Sequence, residues 1–240
     1  MDKNQLVDKL FSVGAHFGYS PSRRHPSQAT FIYGEKGGTE VFDLEKTAAC
    51  LDTALEYVKS LAGERKTILF IGGKAEARGI VSRAAERINA PYVASRWIGG
   101  TLTNFSEIKR RLGRLAEITT MREKGELAKF TKRERLLIDR EAADLELMFG
   151  GLKGMTKLPD ALMIVDPRQE DAAVKEAAKF NIPVIALMNS DCDRRGIAYP
   201  IPGNDASQET ITFVLDQVAK TYEDNLAPEK APQPAEGSAN

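Results

Sequence analysis

Three short, mainly apolar runs constrain the fold of this chain most strongly. They lie at 67–71, 161–165 and 183–187. None shows the alternation of apolar and polar residues that is typical of a strand with one solvent-exposed face. A strand that is apolar on both sides is covered on both sides, which is typical of parallel sheets. Because helical segments follow these runs, the sequence predicts an α/β fold with a Rossmann-like, doubly wound parallel sheet.

Further elements are predicted around this sheet. Residues 31–33 and 40–42 flank Gly37 and Gly38, which is the signature of a β-hairpin. The remaining expectations come from apolar periodicity: a short strand at 92–94 and helices at 44–61, 75–88, 172–180 and 208–220.

A long, highly charged segment, 104–149, interrupts the alternation of strands and helices. It predicts two helices with narrow apolar stripes, separated at Gly125, and therefore an antiparallel coiled-coil hairpin that protrudes from the sheet. Two capping pairs mark the expected helix starts: Asn104 with Glu107, and Thr131 with Glu134.

The domain organisation follows from this insertion. Residues 1–103 and 150–225 are expected to form one discontinuous α/β domain that carries the hairpin. After residue 225 the chain is rich in Pro, Ala and Glu and nearly free of large apolar residues, so burial cannot offset its ordering entropy. We expect 226–240 to be a disordered tail.

Composition excludes several classes of protein. No run approaches the roughly 20 apolar residues of a membrane helix, so we expect a cytoplasmic protein with no membrane partner. The two cysteines, Cys50 and Cys192, lack neighbours at ligand spacing, which argues against a zinc cluster or a disulfide framework. We predict no metal and no cofactor.

A nucleotide-binding enzyme or regulator is the main rival interpretation. Gly72-Gly73-Lys74 follows a predicted strand and opens a helix, where free N–H groups hold phosphate. A Walker loop is not present, because Ala75 follows Lys74 and Ile68 stands where the first glycine belongs. A tight turn is therefore favoured, while a phosphate contact of Lys74, with RNA for example, stays open.

Carboxylates at strand ends are compatible with the enzymatic alternative. Asp166, Asp191 and Asp193 follow predicted strands, where α/β enzymes place reactive groups. The two histidines of the chain, His16 and His25, both lie in the first segment, and no nucleophile elbow is present. Capping of helices and turns by these aspartates is the favoured alternative to catalysis, and no small-molecule substrate is expected.

The segment 96–105 combines the single tryptophan with Arg, Gly, Thr and Asn. Arg96, Thr103 and Asn104 carry groups that bind phosphate or 2′-hydroxyl oxygens, and Trp97 offers a ring for stacking. The alternative for Trp97 is an anchor that packs this loop onto the sheet. For Arg96 a phosphate and a structural carboxylate are both open.

Charge distribution adds a case for nucleic acid despite a formal net charge of zero. Lys and Arg cluster from 109 to 157, whereas acidic residues are dense after 222. A solvated face with helical ion pairs is the usual meaning of such mixing, but local positive surplus favours contact with phosphates. The predicted RNA-binding residues are His16, Tyr19, Arg23, Arg24, Lys36, Lys74, Arg96, Trp97, Thr103, Asn104, Lys109, Arg110, Arg111, Arg114, Lys132 and Arg133.

Several ordered motifs resemble one protein family, the bacterial small-subunit ribosomal protein conventionally numbered two. The resemblance extends from Gly14 to about Lys220. It is carried by AHFG at 15–18, FIYG at 31–34, DLEKT at 43–47, RWIGGTLTNF at 96–105, GGLK at 150–153, LPD at 158–160 and YPIPGND at 199–205.

This resemblance implies a structural protein and not an enzyme. It implies a Rossmann-like sheet without dinucleotide chemistry, docked with its coiled-coil hairpin on small-subunit ribosomal RNA between head and body. Implied partners are that RNA and neighbouring ribosomal proteins, including the large messenger-binding protein numbered one. A pure protein-docking module remains the third interpretation.

Overall fold

The structure, a computed structural model, describes residues 3–228 of the 240. Within this range the helices are α1 Lys3–Ser12, α2 Leu44–Gly63, α3 Arg78–Arg87, α4 Phe105–Glu123, α5 Lys132–Phe149, α6 Asp171–Lys179 and α7 Gln208–Asp224. The strands are β1 Ile32–Lys36, β2 Thr39–Phe42, β3 Ile68–Ile71, β4 Tyr92–Val93, β5 Ala161–Val165, β6 Val184–Met188 and β7 Tyr199–Pro202.

The central sheet confirms the predicted fold class. Its five strands are all parallel, in the spatial order β4-β3-β5-β6-β7. The chain goes from β3 to β4 on one side and later returns to β5 on the other side of β3. The direction of winding therefore reverses between β3 and β5, and the carboxyl ends of these strands border the crevice where α/β proteins hold ligands.

Each face of the sheet is covered by helices, as the apolar runs predict. Along β3, Ile68 and Phe70 join a core with α1, α2, α3 and α7, whereas Leu69 and Ile71 join a core with α4, α5 and α6. All four side chains are buried. The alternation of a strand thus feeds two separate cores.

Helices α4 and α5 occupy the inserted segment and lie side by side in opposite directions. Two ion pairs connect the helices: Arg114 with Glu141 at 3.0 Å and Arg122 with Asp139 at 2.7 Å. We call these helices the α4–α5 pair. That they form a protruding coiled coil, and that 104–149 is a separate unit, stay predictions.

One of the two expected capping pairs is wrong. Thr131 and Glu134 form a reciprocal capping box at the start of α5, as predicted. Asn104 precedes α4 without any capping bond, because its Oδ1 accepts from the Ser106 hydroxyl, while Glu107 pairs with arginines.

One α-helix and one strand of the described residues were missed from the sequence. Helix α1 precedes the β1-β2 hairpin in a segment for which no regular element was predicted. Strand β7 contains Pro200 and Pro202, which lack the N–H of a ladder, and the structure accommodates them because β7 lies at the edge of the sheet.

The predicted tail, 226–240, lies outside the described residues from 229 onward. Its first residues are held by the fold: the Ala227 N–H donates to the Ala62 carbonyl at 3.2 Å, and Arg65 donates to the Ala227 carbonyl at 2.7 Å. Among the helices that the structure describes, none combines the length and apolarity needed to cross a bilayer.

Candidate nucleic-acid interface

Lys74 lies at the winding reversal and is held by two aspartates. It follows β3, and its Nζ lies 3.2 Å from an oxygen of Asp166, after β5, and 3.2 Å from Asp205, after β7. The Lys74 side chain is 15% exposed. Burial disfavours the ammonium, but Asp205 and Asp166 outweigh it, so the pKa of Lys74 is raised above its ordinary value.

Asp205 is the least solvated member of this cluster. It has no exposed surface, and its Oδ2 has no hydrogen-bond partner among the described residues. Its Oδ1 accepts from Asn189 at 2.9 Å as well as from Lys74. Burial, together with the charge of Asp166, raises the pKa of Asp205 to about 6.

The same cluster offers ligand atoms but suits an ion pair better than a metal. Atoms of Asp166, Cys192 and Asp205 lie within 4.8 Å of one another. Burial and the neighbouring aspartates raise the pKa of the Cys192 thiol, so the sulfur keeps its proton and is a poor ligand. Lys74 already supplies the positive charge that a cation would bring.

The glycine turn after β3 is closed by a carboxylate. The Gly73 N–H donates to Glu170, at the start of α6, at 3.0 Å. A Cβ at Gly73 would stand 2.7 Å from the Ser95 carbonyl oxygen and 2.8 Å from Glu170, so the turn has no room for a side chain. The tight-turn interpretation of Gly73 is confirmed.

A second carboxylate fills the loop that carries Trp97. The backbone N–H groups of Gly100, Leu102 and Thr103 donate to Glu176 of α6 at 2.8 to 3.0 Å, and the Trp97 indole N–H donates at 3.1 Å. Burial alone would raise the pKa of Glu176, but these donors outweigh burial and lower it. We call Glu176 with these donors the Glu176 nest.

These contacts remove the features that favoured a nucleotide-binding enzyme. Lys74, the Gly73 N–H and the nest donors are the groups that would hold phosphate, and Asp166, Glu170 and Glu176 already satisfy them. A ligand phosphate would have to displace one of these carboxylates of the chain itself. Lys74 and Trp97, both predicted to contact RNA, are instead engaged inside the protein, and Trp97 is buried as an anchor.

The N-terminal segment is docked along the loop after β6. The His25 N–H donates to the Ser190 carbonyl at 2.8 Å, and buried Gln28 donates to the Cys192 carbonyl at 3.1 Å. Two predicted RNA-binding arginines are paired here: Arg23 with Asp191 and Arg24 with Glu40, each at 3.0 Å. Both guanidinium groups stay about half exposed, so N–H donors remain for phosphate.

Three other predicted residues of this region have different surroundings. The His16 ring is stacked on Phe11, with ring centroids 4.6 Å apart, and is tilted against Phe17, with centroids 4.0 Å apart. Burial, followed by the charge of Lys36, lowers the pKa of the His16 ring. Tyr19 lies beneath Arg23 and its hydroxyl accepts from Lys74 at 3.4 Å. Lys36, in β1, is exposed.

The predicted cations of the α4–α5 pair fall into two groups. Arg110 and Arg111 both pair with Glu107, and Arg114 pairs with Glu117 and Glu141. The second group is exposed and has no ion pair among the described residues: Arg96 in the preceding loop, Lys109, Lys132 and Arg133. Among the predicted residues of this region, the cations without an ion pair therefore lie in the loop before α4 (Arg96), near the start of α4 (Lys109) and at the start of α5 (Lys132 and Arg133).

The structure thus brings the predicted residues together in part. Thr103 and Asn104 are exposed in the same loop as Arg96, but the Thr103 N–H and hydroxyl both donate to Glu176. The side chains of Lys74, Trp97 and Tyr19 contact groups of the protein itself. Sequence reasoning missed Glu170 and Glu176. Their only signal was two acidic residues in and beside a short helix, which is the ordinary pattern of a solvated face.

The family comparison agrees with the geometry. A family model described as ribosomal protein S2 matches residues 10–225. Similar curated proteins carry the name small ribosomal subunit protein uS2. One from Dictyoglomus thermophilum is 40% identical, covering 89% of this chain and 87% of that protein.

Two further relatives extend the match. A protein of the same name from Mesoplasma florum is 41% identical over 96% of this chain and 86% of its own length. Another from Acidothermus cellulolyticus is 37% identical over 96% of this chain and 84% of its own length. The similarity therefore includes the sheet, the α4–α5 pair and the N-terminal segment together.

Proposed function

We propose that this chain, which belongs to the ribosomal protein S2 family, anchors itself on small-subunit ribosomal RNA through contacts to the RNA backbone. Members of this family are structural, non-enzymatic components of the small ribosomal subunit and act in translation. We place the contact at the head-body junction of a cytoplasmic ribosome, as the family resemblance implies. The exposed cations would bind phosphates, and no base sequence would be recognised by the main contact surface.

One observation carries this proposal: the turn of the α4–α5 pair has a local surplus of exposed cations that form no ion pair among the described residues. Between 122 and 135, at the turn of the α4–α5 pair, the sequence has six Lys or Arg and three Glu. Glu134 is occupied by the capping box and Arg122 by Asp139, so positive charge remains in surplus. A net-neutral protein can bind a polyanion in this way because its charge is unevenly distributed.

We expect the pair Lys132→Ala and Arg133→Ala to weaken binding to small subunits from which the protein has been removed. The reason is that fewer phosphates are neutralised and fewer counterions are released. The measurement is the affinity at several salt concentrations. The slope of log affinity against log salt should become shallower by roughly 0.7 to 0.9 for each phosphate that the variant no longer binds.

The matched control is Lys175→Ala with Lys179→Ala on α6, two exposed lysines outside the proposed surface. These changes should leave both the affinity and the salt slope close to those of the unchanged protein. Equal effects of the two pairs, or no effect of the first, would contradict a specific contact near the start of α5.

We also propose that the chain helps to recruit the large messenger-binding small-subunit protein, as the family resemblance implies. An exposed aromatic group supports a protein contact here: Phe11 is 63% exposed and Phe17 is 49% exposed, and both contact the His16 ring. Subunits rebuilt with Phe11→Ser and Phe17→Ser should retain less of that protein. Phe180→Ser, at the end of α6 and also exposed, is the control, and equal retention in both would refute this surface.

A further inference from the structure

A small crevice lies at the root of the α4–α5 pair, beside the loop that carries Trp97. Its volume is about 260 Å³. Its lining includes Ile98, Met148 and Phe149 on the apolar side and Asn104 and Arg111 on the polar side. Such a volume falls just below the roughly 300 to 1,000 Å³ of sites for whole small molecules, so it suits one planar ring system.

The polar groups at its rim are available. Among the described residues, neither the N–H nor the carbonyl of Gly99 has a hydrogen-bond partner, and the Asn104 side-chain nitrogen has none. These groups offer a donor and an acceptor from one residue and two further donors from one amide. The edge of a nucleobase presents a complementary mixture of donors and acceptors.

The crevice is also held in shape before any ligand arrives. Its wall at Gly100 is fixed by the Glu176 nest, and the Asn104 N–H donates to the Gly100 carbonyl at 2.7 Å. Little conformational entropy would be lost on binding, because this backbone is already ordered.

The charge around the crevice selects a polyanion as the occupant. Arg111 lines it, and Lys109 and Arg110 are its neighbours on α4, while Arg96 lies two residues before Ile98. Glu107, which also lines it, is already shared by Arg110 and Arg111. An RNA nucleotide has a group for each part of this site: a base for the apolar floor and the free polar groups, and a phosphate for the cations.

We propose that this crevice receives a single unstacked base of the bound RNA, with the base against Ile98, Met148 and Phe149 and its phosphate near Arg111. This inference rests on the proposed function, since it assumes that RNA lies along this face. It goes beyond backbone contact, because one nucleotide would be gripped by its base.

The test fills the crevice. A Cβ at Gly99 would meet no atom within 4 Å, and Gly99 has no positive φ, so the backbone at Gly99 accepts a side chain and Gly99→Leu adds bulk at the crevice. Gly113→Leu, on α4, meets the same two conditions outside the crevice and is the matched control. Both variants are rebound to small subunits that lack the protein, and unpaired bases are probed with reagents that modify their Watson–Crick edges.

The unchanged protein and Gly113→Leu should protect the same one or two unpaired bases. Gly99→Leu should bind about tenfold more weakly, as expected when one base no longer packs on the protein, and should leave those bases reactive. Wild-type affinity and protections with Gly99→Leu would overturn the proposal. A protein that gives no RNA protection in any form would instead refute the proposed function.

A second variant separates a folding defect from a failure to hold the base. Asn104→Ala removes the free amide while its exposed position leaves the cores untouched. If Gly99→Leu melts at a lower temperature than the unchanged protein, Asn104→Ala decides the question. It should reduce the protection of the same bases, and full protection with this variant would count against base capture.

Discussion

Replacing Lys74 by Met is expected to destabilise the folded protein by about 3 to 5 kcal/mol, the usual cost of removing one partner from a buried ion pair. The change leaves Asp166 and Asp205 close together without their cation, and Asp205 has no access to water. Urea unfolding, followed by the fluorescence of Trp97, measures the destabilisation. An effect below about 1 kcal/mol would show that the cluster is solvated or rearranged.

Two variants make the cause specific. Lys175→Met removes an exposed lysine paired with Asp171 on α6 and should change stability by no more than about 0.5 kcal/mol. Adding Asp205→Asn to Lys74→Met should recover part of the stability, because one of the two stranded carboxylates is then neutral. Equal stability of the single and double variants would exclude the charge explanation.

The effect of Lys74→Met should depend on pH. Asp205 has a folded pKa of about 6 against an ordinary 3.8, so its contribution to stability is present at low pH and is lost as the pH rises through 6. Without the Lys74 ammonium the pKa of Asp205 rises further, so Asp205 in the folded variant binds a proton more strongly. The deficit of Lys74→Met against the unchanged protein should therefore shrink between about pH 7.5 and about pH 5.

Replacing Glu176 by Ala is expected to cost at least about 3 kcal/mol, since bonds to a charged acceptor contribute about 1.5 to 3 kcal/mol each and are not additive. Three backbone N–H groups and the Trp97 indole would lose their acceptor at once. The emission of Trp97, the single tryptophan, should shift to the red as the loop opens to water.

The control for the Glu176 nest is Glu56→Ala, an exposed position within α2. It should leave both stability and Trp97 emission nearly unchanged. Burial raises the pKa of Glu176, but its hydrogen bonds lower it by more, so the carboxylate stays ionised at neutral pH. Unchanged emission in Glu176→Ala would mean that packing of Trp97, and not the carboxylate, orders the loop.

The predictability of this fold differs between its elements. The runs that form β3, β5 and β6 are apolar on both faces. This pattern is local, so it predicts buried strands even when the neighbouring strands are not known. Strand β7 gave no such signal, because its two prolines argue against a strand unless its edge position is known. The expected cap at Asn104 failed because Ser106 competes for its side-chain oxygen.

The candidate interface was predictable only as a set of residue types. Local charge identified Lys109, Lys132 and Arg133 as exposed cations, which the structure confirms. It did not separate them from Lys74, whose partner Asp166 lies 92 residues away. Nor did it separate them from Arg114, whose partner Glu141 lies on the neighbouring helix.

The sequence by itself determined the fold class and the family, because periodic burial and ordered motifs are properties of the chain as written. Only the tertiary structure decided which charged groups remain for a partner. Asp166, Asp205 and Glu176 meet Lys74 and the Trp97 loop through contacts between distant segments, and pairing depends on distance in space. The surface that we propose for RNA consists of predicted cations that form no such contacts, among them Lys109, Lys132 and Arg133.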